Sequence, residues 1–83
     1  MNNWYVYILK CKGGTLYTGV TNDLALRVKN HNFGIGGAYT RAHRPVSLVY
    51  SEVSESRSTA QKREAEIKKM PRSKKLTLIE SSV

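Results

Sequence analysis

Two short segments rich in β-branched and aromatic residues flank a pair of glycines near the start of the chain. Residues 4–10 read Trp-Tyr-Val-Tyr-Ile-Leu-Lys, and residues 15–20 read Thr-Leu-Tyr-Thr-Gly-Val, after the turn at Gly13 and Gly14. Segments of this composition joined by glycines predict an antiparallel β-hairpin. Because the chain has only 83 residues, it can form one modest core, and the remaining segments must cover this sheet.

The length of the turn decides which side chains of the hairpin share a face of the sheet. A two-residue turn would place Tyr7 and Tyr17 on opposite faces. A three-residue turn would place both on one face, together with Tyr5, Leu9 and Gly19. We favour the longer turn because it gathers the aromatic side chains where the glycine leaves room for a ligand or another backbone, although the sequence alone does not force it. Taken alone, Tyr17 also fits a half-buried strand tyrosine with its hydroxyl at the surface.

The segments after the hairpin predict helices and one further strand. The predicted elements are a helix from the N-caps at residues 21–23 to Phe33, a flexible loop over residues 34–45, a strand over residues 46–53, a helix from the polar segment 54–59 to Met70, and a last short helix that contains Leu76, Leu78 and Ile79. In the third strand, Val46, Leu48 and Tyr50 should share one face and Ser47 and Ser51 the other.

The predicted loop carries three cationic or titratable side chains, Arg41, His43 and Arg44, among glycines. A backbone made flexible by glycines and carrying clustered cations suits a loop that wraps a phosphate backbone, so Arg41 and Arg44 are candidate nucleic-acid contacts. An ordinary mobile connector explains the same composition.

The helical period predicts that Leu24 and Val28 of the first long helix, and Ala60, Ile67 and Met70 of the second, face the core. Three polar side chains lie on or beside these core-facing sides. Arg27 and His31 are four residues apart on a stripe that borders the apolar one, so they would face the rim of the sheet together. A solvated arginine and a packed or helix-capping histidine are the alternatives. Glu64 lies on the inward stripe of its helix, where a carboxylate is costly unless it is paired or holds a metal. A buried ion pair, for which Arg27 is one candidate partner, is the alternative there.

The charge balance favours a polyanionic partner. Fourteen Lys and Arg against six Asp and Glu give a net charge of +8, and nucleic acid is the most abundant partner for such a field; solubility is the alternative. The sequence has one cysteine, no apolar run that could span a bilayer and no basic stretch in residues 1–3. We therefore expect one cytoplasmic domain over residues 1–83, with no disulfide, secretory signal or membrane contact.

The order and spacing of these residues resemble the GIY-YIG nuclease superfamily, most closely its small stand-alone bacterial members. Tyr5-Val6-Tyr7 stands where the family has its first triplet, and Tyr17-Thr18-Gly19 where it has the second. Arg27 and His31 follow at the family's intervals, and Glu64 lies in Arg-Glu-Ala-Glu-Ile-Lys, which resembles the family's metal-binding helix. The resemblance implies an α+β fold of order β-β-α-β-α-α, in which a three-stranded antiparallel sheet is flanked by helices and carries the site on one face.

The resemblance also implies hydrolysis of DNA phosphodiester bonds with a single Mg²⁺ or Mn²⁺ ion held by Glu64. Tyr17 would be the general base, activated near Arg27 or passing its proton towards His31. Tyr7 would position water or phosphate, and Arg27 would bind the scissile phosphate. Gly19, Arg41 and Arg44 would contact the nucleic acid.

The chain departs from the family's pattern at several positions. Tyr5 replaces a glycine, Thr18 replaces an isoleucine, Val20 lies in a region where the family's repair excision nuclease carries a lysine, and no asparagine follows Asn32. Because we find no separate DNA-binding domain, we expect weak, salt-sensitive binding of low sequence specificity, with targeting supplied by a protein partner. The first hypothesis is a DNA endonuclease of repair or recombination. A non-catalytic nucleic-acid-binding module and a protein-interaction adaptor are the alternatives.

Overall fold

The computed structural model describes residues 3–81; residues 1, 2, 82 and 83 of the expected domain lie outside that range. Its elements in chain order are β1 (Trp4–Lys10), β2 (Leu16–Thr21), α1 (Leu24–Asn32), α2 (Ala38–Ala42), β3 (Ser47–Ser54), α3 (Arg57–Lys69) and α4 (Arg72–Ser81). The strands form one antiparallel sheet in the order β2-β1-β3. The predicted α+β fold is confirmed, with α2 as an additional helix.

Two expectations about the whole chain depend partly on its ends. One domain over residues 1–83 stays a prediction, and the expectation about a secretory signal concerns residues 1–3, of which only Asn3 is described. Within residues 3–81, none of the helices combines the length and the apolar composition needed to cross a membrane.

The hairpin between β1 and β2 has the predicted three-residue turn. Tyr7 lies opposite Gly19 and Leu9 lies opposite Tyr17. The two glycines of the turn have φ angles of 89° and 91°, which glycine adopts without the steric penalty of a side chain. The register therefore places both tyrosines and Gly19 on one face of the sheet, as predicted.

The sheet separates two apolar clusters. On one face, Val6 and Ile8 pack with Ala60 and Ile67 of α3, and Met70, Leu78 and Ile79 lie against them. On the other face, the cluster comprises Tyr7, Leu9, Cys11 and Val46, against which Leu24 and Val28 of α1 pack. The inward positions predicted from the helical period on both long helices are confirmed, so α1 and α3 cover opposite faces.

Strand β3 begins and ends one residue later than predicted and contains a bulge. Tyr50 pairs with Ile8 whereas Leu48 pairs with Leu9, so Val49 is an extra residue. A bulge disrupts the alternation of faces at that point, and Val49 and Tyr50 both pack against the α3-side cluster. The predicted common face of Leu48 and Tyr50 is therefore wrong.

Residues 34–45 do not form the predicted flexible loop. Helix α2 occupies part of the segment and packs against α1, with its Thr40 buried. Gly37 precedes the helix with a φ of 145°, in the region that favours glycine. A helix of five residues is too short for periodicity to indicate and is stabilised by packing rather than by propensity.

Candidate active site

A cavity of about 370 Å³ opens beside the edge strand β2. Among its lining residues are five of the predicted site residues, Tyr7, Tyr17, Gly19, Arg27 and Glu64. The tyrosines lie on the α1 side of the sheet, whereas Glu64 belongs to α3 on the opposite side. The cavity therefore draws on both faces at the edge of the sheet, which corrects the expectation of a site on one face.

Gly19 makes room for Tyr7. The glycine is buried and lies opposite Tyr7 in the hairpin, and a Cβ atom at residue 19 would collide with the oxygen and ring of that phenol. The gap that the sequence predicted beside Tyr17 is thus occupied by the protein's own side chain. Gly19 also lines the cavity, but its evident structural role is to fix where the Tyr7 phenol lies.

Tyr7 and His31 form a buried, hydrogen-bonded pair. Tyr7 Oη lies 3.0 Å from His31 Nε2, and the two residues are 2% and 0% exposed. His31 Nδ1 lies 2.7 Å from Oγ1 of Thr40. A Cβ atom at Gly36 would collide with the imidazole, so this glycine provides the space for the ring. His31 is therefore held at both nitrogens rather than placed at the rim.

Burial keeps both members of this pair neutral. It raises the pKa of the Tyr7 phenol well above its ordinary value of 10.0; Tyr17 raises it further, and Arg27 opposes the rise. Burial lowers the pKa of His31 below its ordinary value of 6.5, and the charge of Arg27 lowers it further. Near neutral pH the pair is a protonated phenol and an uncharged imidazole. Neighbouring cations favour an ionised phenol in general, but for Tyr7 burial outweighs Arg27.

The phenol of Tyr17 is half-buried among other rings. Its ring meets that of His31 edge-on at a centroid distance of 5.3 Å and lies nearly parallel to that of Tyr39 at 6.3 Å. Within residues 3–81, no group hydrogen-bonds to the Tyr17 hydroxyl. The hydrogen bond to His31 is made by Tyr7, so a direct proton path from Tyr17 to His31 is absent from this arrangement.

Arg27 and Glu64 reach the cavity from the two sides of the sheet. Across residues 3–81, the guanidinium of Arg27 has no hydrogen bond or ion pair. Glu64 Oε2 lies 3.4 Å from Lys68 Nζ, one turn along α3, so the alternative of a buried ion pair between Glu64 and Arg27 is wrong. The side chain of Glu64 is 23% exposed, which leaves its carboxylate accessible to a ligand.

The carboxylate of Glu64 fits a Mg²⁺ or Mn²⁺ ion whose remaining ligands are water and substrate. In the part of the chain that the structure describes, no three His, Cys, Asp or Glu side chains group as a metal site. Mg²⁺ usually keeps several waters and binds through one or two carboxylates together with substrate phosphates. Glu64 offers one carboxylate, and the guanidinium of Arg27 is free to bind a phosphate in the same cavity. This arrangement suits a metal ion that is bound by Glu64 and a substrate phosphate together.

The predicted nucleic-acid contacts Arg41 and Arg44 lie elsewhere. They line a separate depression with Asn32, and that depression shares no lining residue with the cavity. Arg44 Nε donates to the Arg41 carbonyl at 3.0 Å, so its guanidinium helps to close the end of α2. The structure therefore does not bring these two arginines to the catalytic candidates.

Trp4 and Arg57 line the cavity but are absent from the predicted site residues. The guanidinium carbon of Arg57 lies 5.7 Å from the centre of the Trp4 ring, within the range of a cation–π contact. Arg57 is the first residue of α3, where a cation opposes the helix dipole. That unfavourable placement is the sequence signal that could have indicated a role in binding an anion.

A family model described as the GIY-YIG catalytic domain matches residues 3–77. The chain belongs to the GIY-YIG family. Both tyrosine triplets and the residues Arg27, His31 and Glu64 lie inside the match, so the resemblance stated from the sequence is confirmed. Membership places this GIY-YIG chain among nuclease-type domains, and such a domain indicates an interaction with nucleic acid.

Relatives of this GIY-YIG chain are small bacterial proteins of similar length. A UPF0213 protein of Staphylococcus saprophyticus is 52% identical over 79 residues, which cover 95% of this chain and 96% of that protein. A UPF0213 protein of Clostridium perfringens is 57% identical over 77 residues, which cover 93% and 83%. The solution NMR structure of a UPF0213 protein of Bacillus halodurans, 44% identical, matches with a TM-score of 0.60 over 94% of this chain and 83% of that one.

Proposed function

We propose that the chain is a metal-dependent endonuclease that hydrolyses phosphodiester bonds in DNA. The observation that carries the proposal is the convergence of Tyr7, Tyr17, Arg27 and Glu64 on one cavity, with His31 hydrogen-bonded behind Tyr7. The reaction needs a base for the attacking water, positive charge at the phosphate and a divalent cation for the charge that develops. The cavity supplies a candidate for each requirement.

In this proposal the proton of the attacking water passes through Tyr7 to His31. Tyr7 lines the cavity, and its hydroxyl contacts Nε2 of a neutral imidazole. As the water oxygen bonds to phosphorus, a water proton moves to Tyr7 Oη while the original phenol proton moves to His31 Nε2. The bond to the leaving oxygen breaks, and this oxygen takes a proton from solvent water, while His31 later returns its extra proton to solvent. We assign this role to Tyr7 instead of Tyr17, because Tyr7 is the tyrosine with a proton acceptor.

Arg27 and Tyr17 bind the phosphate. A guanidinium presents parallel N–H donors that match two phosphate oxygens, and in residues 3–81 that of Arg27 has no competing partner. The Tyr17 hydroxyl, also without a partner in that range, donates to a phosphate oxygen or orients the water. Both groups act on the substrate without first having to break a contact within the protein.

Glu64 holds the Mg²⁺ or Mn²⁺ ion. When bound, the ion supplies positive charge against the phosphate oxygens. Lys68, with Nζ 3.4 Å from Glu64 Oε2, orients the carboxylate along α3 in the free protein.

DNA binds mainly through its backbone, with low sequence specificity. The net charge of +8 attracts the phosphates, and Arg57 offers a further contact at the cavity. Arg41 and Arg44 add contacts outside it. The proposal includes a protein partner that supplies targeting, in DNA repair or recombination in the cytoplasm.

The test is cleavage of plasmid and branched DNA with Mg²⁺ or Mn²⁺ by the wild-type chain, Tyr17→Phe and Glu64→Ala, prepared side by side. Cleavage by the wild type, lost in both variants while DNA binding remains, would support the proposal. Salt-sensitive binding without any cleavage would instead indicate a non-catalytic nucleic-acid-binding module. Neither binding nor cleavage would indicate a protein-interaction adaptor.

A further inference from the structure

The imidazole of His31 has a second buried contact, to Thr40 of α2. Thr40 is 1% exposed, and its Oγ1 lies 2.7 Å from His31 Nδ1. The same hydroxyl donates to the Gly37 carbonyl at 3.4 Å, the local bond that a helical threonine makes to a carbonyl in the preceding turn. The proton path from water uses only the opposite nitrogen, Nε2, and leaves this contact without a role.

The direction of the Thr40 hydroxyl decides which nitrogen of His31 is protonated. A threonine hydroxyl has one proton and two lone pairs. When its proton is donated to the Gly37 carbonyl, 3.4 Å away, its oxygen presents a lone pair to Nδ1, which then carries the ring proton. The neutral imidazole is left with a bare Nε2 that accepts a hydrogen bond from the hydroxyl of Tyr7, 3.0 Å away.

Only this tautomer can receive the proton of Tyr7. If Nε2 carried the ring proton, it would donate to Tyr7 Oη and would have no lone pair to offer. The partner of Nδ1 therefore sets the direction in which a proton can move at the far side of the ring.

The backbone around Thr40 holds this contact in place. The Gly37 carbonyl also accepts a hydrogen bond from Arg41 N at 3.0 Å, which fixes its direction in the first turn of α2. Gly36 lies against the imidazole so closely that a Cβ atom there would collide with Nδ1. The start of α2 is thus shaped to seat the ring of His31.

We propose that Thr40 is a positioning residue of the active site, which holds His31 in the tautomer whose Nε2 accepts the Tyr7 proton. The effect on cleavage rests on the proposed function, whereas the tautomer is a property of the free protein. Helix α2 is therefore part of the catalytic apparatus through a residue that does not touch the substrate.

Nitrogen-15 NMR of the two imidazoles in the full wild-type chain tests the tautomer, at a pH above neutrality. His43 is an internal reference, because its Nδ1 lies 2.7 Å from the Tyr39 carbonyl oxygen, which can only accept a hydrogen bond. We expect His31, like His43, to carry its proton on Nδ1. A proton on Nε2 of wild-type His31 would overturn the proposal, whatever the variants do.

Two variants separate the hydrogen bond from packing. Thr40→Val keeps the shape but removes the acceptor, so Nε2 protonation of His31 should become substantial and cleavage should fall about tenfold or more, since general acid–base catalysis contributes about 10²–10⁴-fold. Thr40→Ser should restore both properties. A folded Thr40→Val chain with an unchanged tautomer, or a cleavage defect that serine does not restore, would contradict the proposal. If the wild type does not cleave DNA, the proposed function fails, and the NMR comparison still decides the role of Thr40.

Discussion

Tyr7 and Gly19 lie opposite each other across the β1–β2 hairpin, and the Tyr7 phenol fills the space that a side chain at residue 19 would need. The same phenol hydrogen-bonds to His31 at 3.0 Å. The glycine thereby contributes to the site without taking part in the chemistry: it sets where the proton path begins.

Gly19→Ala should displace the Tyr7 phenol. Overpacking of this kind costs about 1–3 kcal/mol of unfolding free energy, and a misplacement of about 1 Å can reduce a rate about 10²-fold. Urea unfolding and the DNA cleavage rate measure the two effects. An alanine variant as stable and as active as the wild type would show that the space at residue 19 is not needed.

The two tyrosines should respond differently to the loss of their hydroxyls. Tyr7→Phe leaves the buried Nε2 of His31 without a partner, which should cost about 1–3 kcal/mol of unfolding free energy. Tyr17→Phe removes a hydroxyl with no partner in residues 3–81, so its effect should stay within about 0.5 kcal/mol. Urea unfolding of the two variants measures both free energies, and equal losses in Tyr7→Phe and Tyr17→Phe would contradict the prediction.

Glu64→Gln should abolish Mg²⁺-dependent cleavage and leave the fold intact. The free protein loses only the pair with Lys68, and such a pair is worth about 0.3–0.5 kcal/mol. Glu66→Gln is the matched control on the same helix, since it removes an exposed carboxylate that pairs with Arg63 at 3.2 Å. Cleavage should persist in this control. A melting temperature that falls much further for Glu64→Gln would indicate a structural carboxylate instead of a metal ligand.

The free energy of unfolding should fall as the pH falls below 6.5, the ordinary pKa of histidine. Burial lowers the pKa of His31 in the folded protein, so the unfolded chain takes up its proton first and is favoured by acid. In alkali the raised pKa of Tyr7 should also lower the free energy of unfolding, because the phenol of the unfolded chain ionises first above pH 10.0. Melting temperatures across the acidic range should show a shallower slope for His31→Gln than for His43→Gln. Equal slopes would contradict the assignment to His31.

Arg57→Ala should weaken DNA binding and make it less dependent on salt. The slope of log affinity against log salt concentration should fall by about 1 if one phosphate contact is lost. Lys62→Ala on the same helix removes an exposed cation that does not line the cavity and should change the slope less. Anisotropy titrations with one DNA oligonucleotide at several salt concentrations measure both. Identical slopes would indicate diffuse attraction in place of a defined contact.

The sequence predicted those features in which two constraints agree. The period of two puts Tyr7 and Tyr17 on one face once the turn has three residues, a length favoured because it gathers the aromatic side chains beside Gly19. The spacing of apolar residues by three and four positions likewise predicted that Val28 and Ile67 face the core. The partner of Glu64 could also have been found, because Lys68 lies four residues further along the helix.

Other contacts depend on tertiary packing that leaves no local trace. Gly36 admits the ring of His31, yet in sequence it looks like a glycine of a mobile loop. Thr40 lies in a helix too short to show a period, and the bulge at Val49 arises from pairing with β1. The sequence therefore identified the groups that face the cavity better than those that hold them in place.

The rate of DNA cleavage by Tyr7→Phe, relative to the wild type under the same Mg²⁺ conditions, is the sharpest test of the proton path from water through Tyr7 to His31. We predict that the wild type cuts DNA. Folded Tyr7→Phe should bind the same DNA but cut it at least about 10²-fold more slowly, because the proton of the attacking water has no route to His31. Cleavage at the wild-type rate by folded Tyr7→Phe would contradict the proton path and return the role of general base to Tyr17.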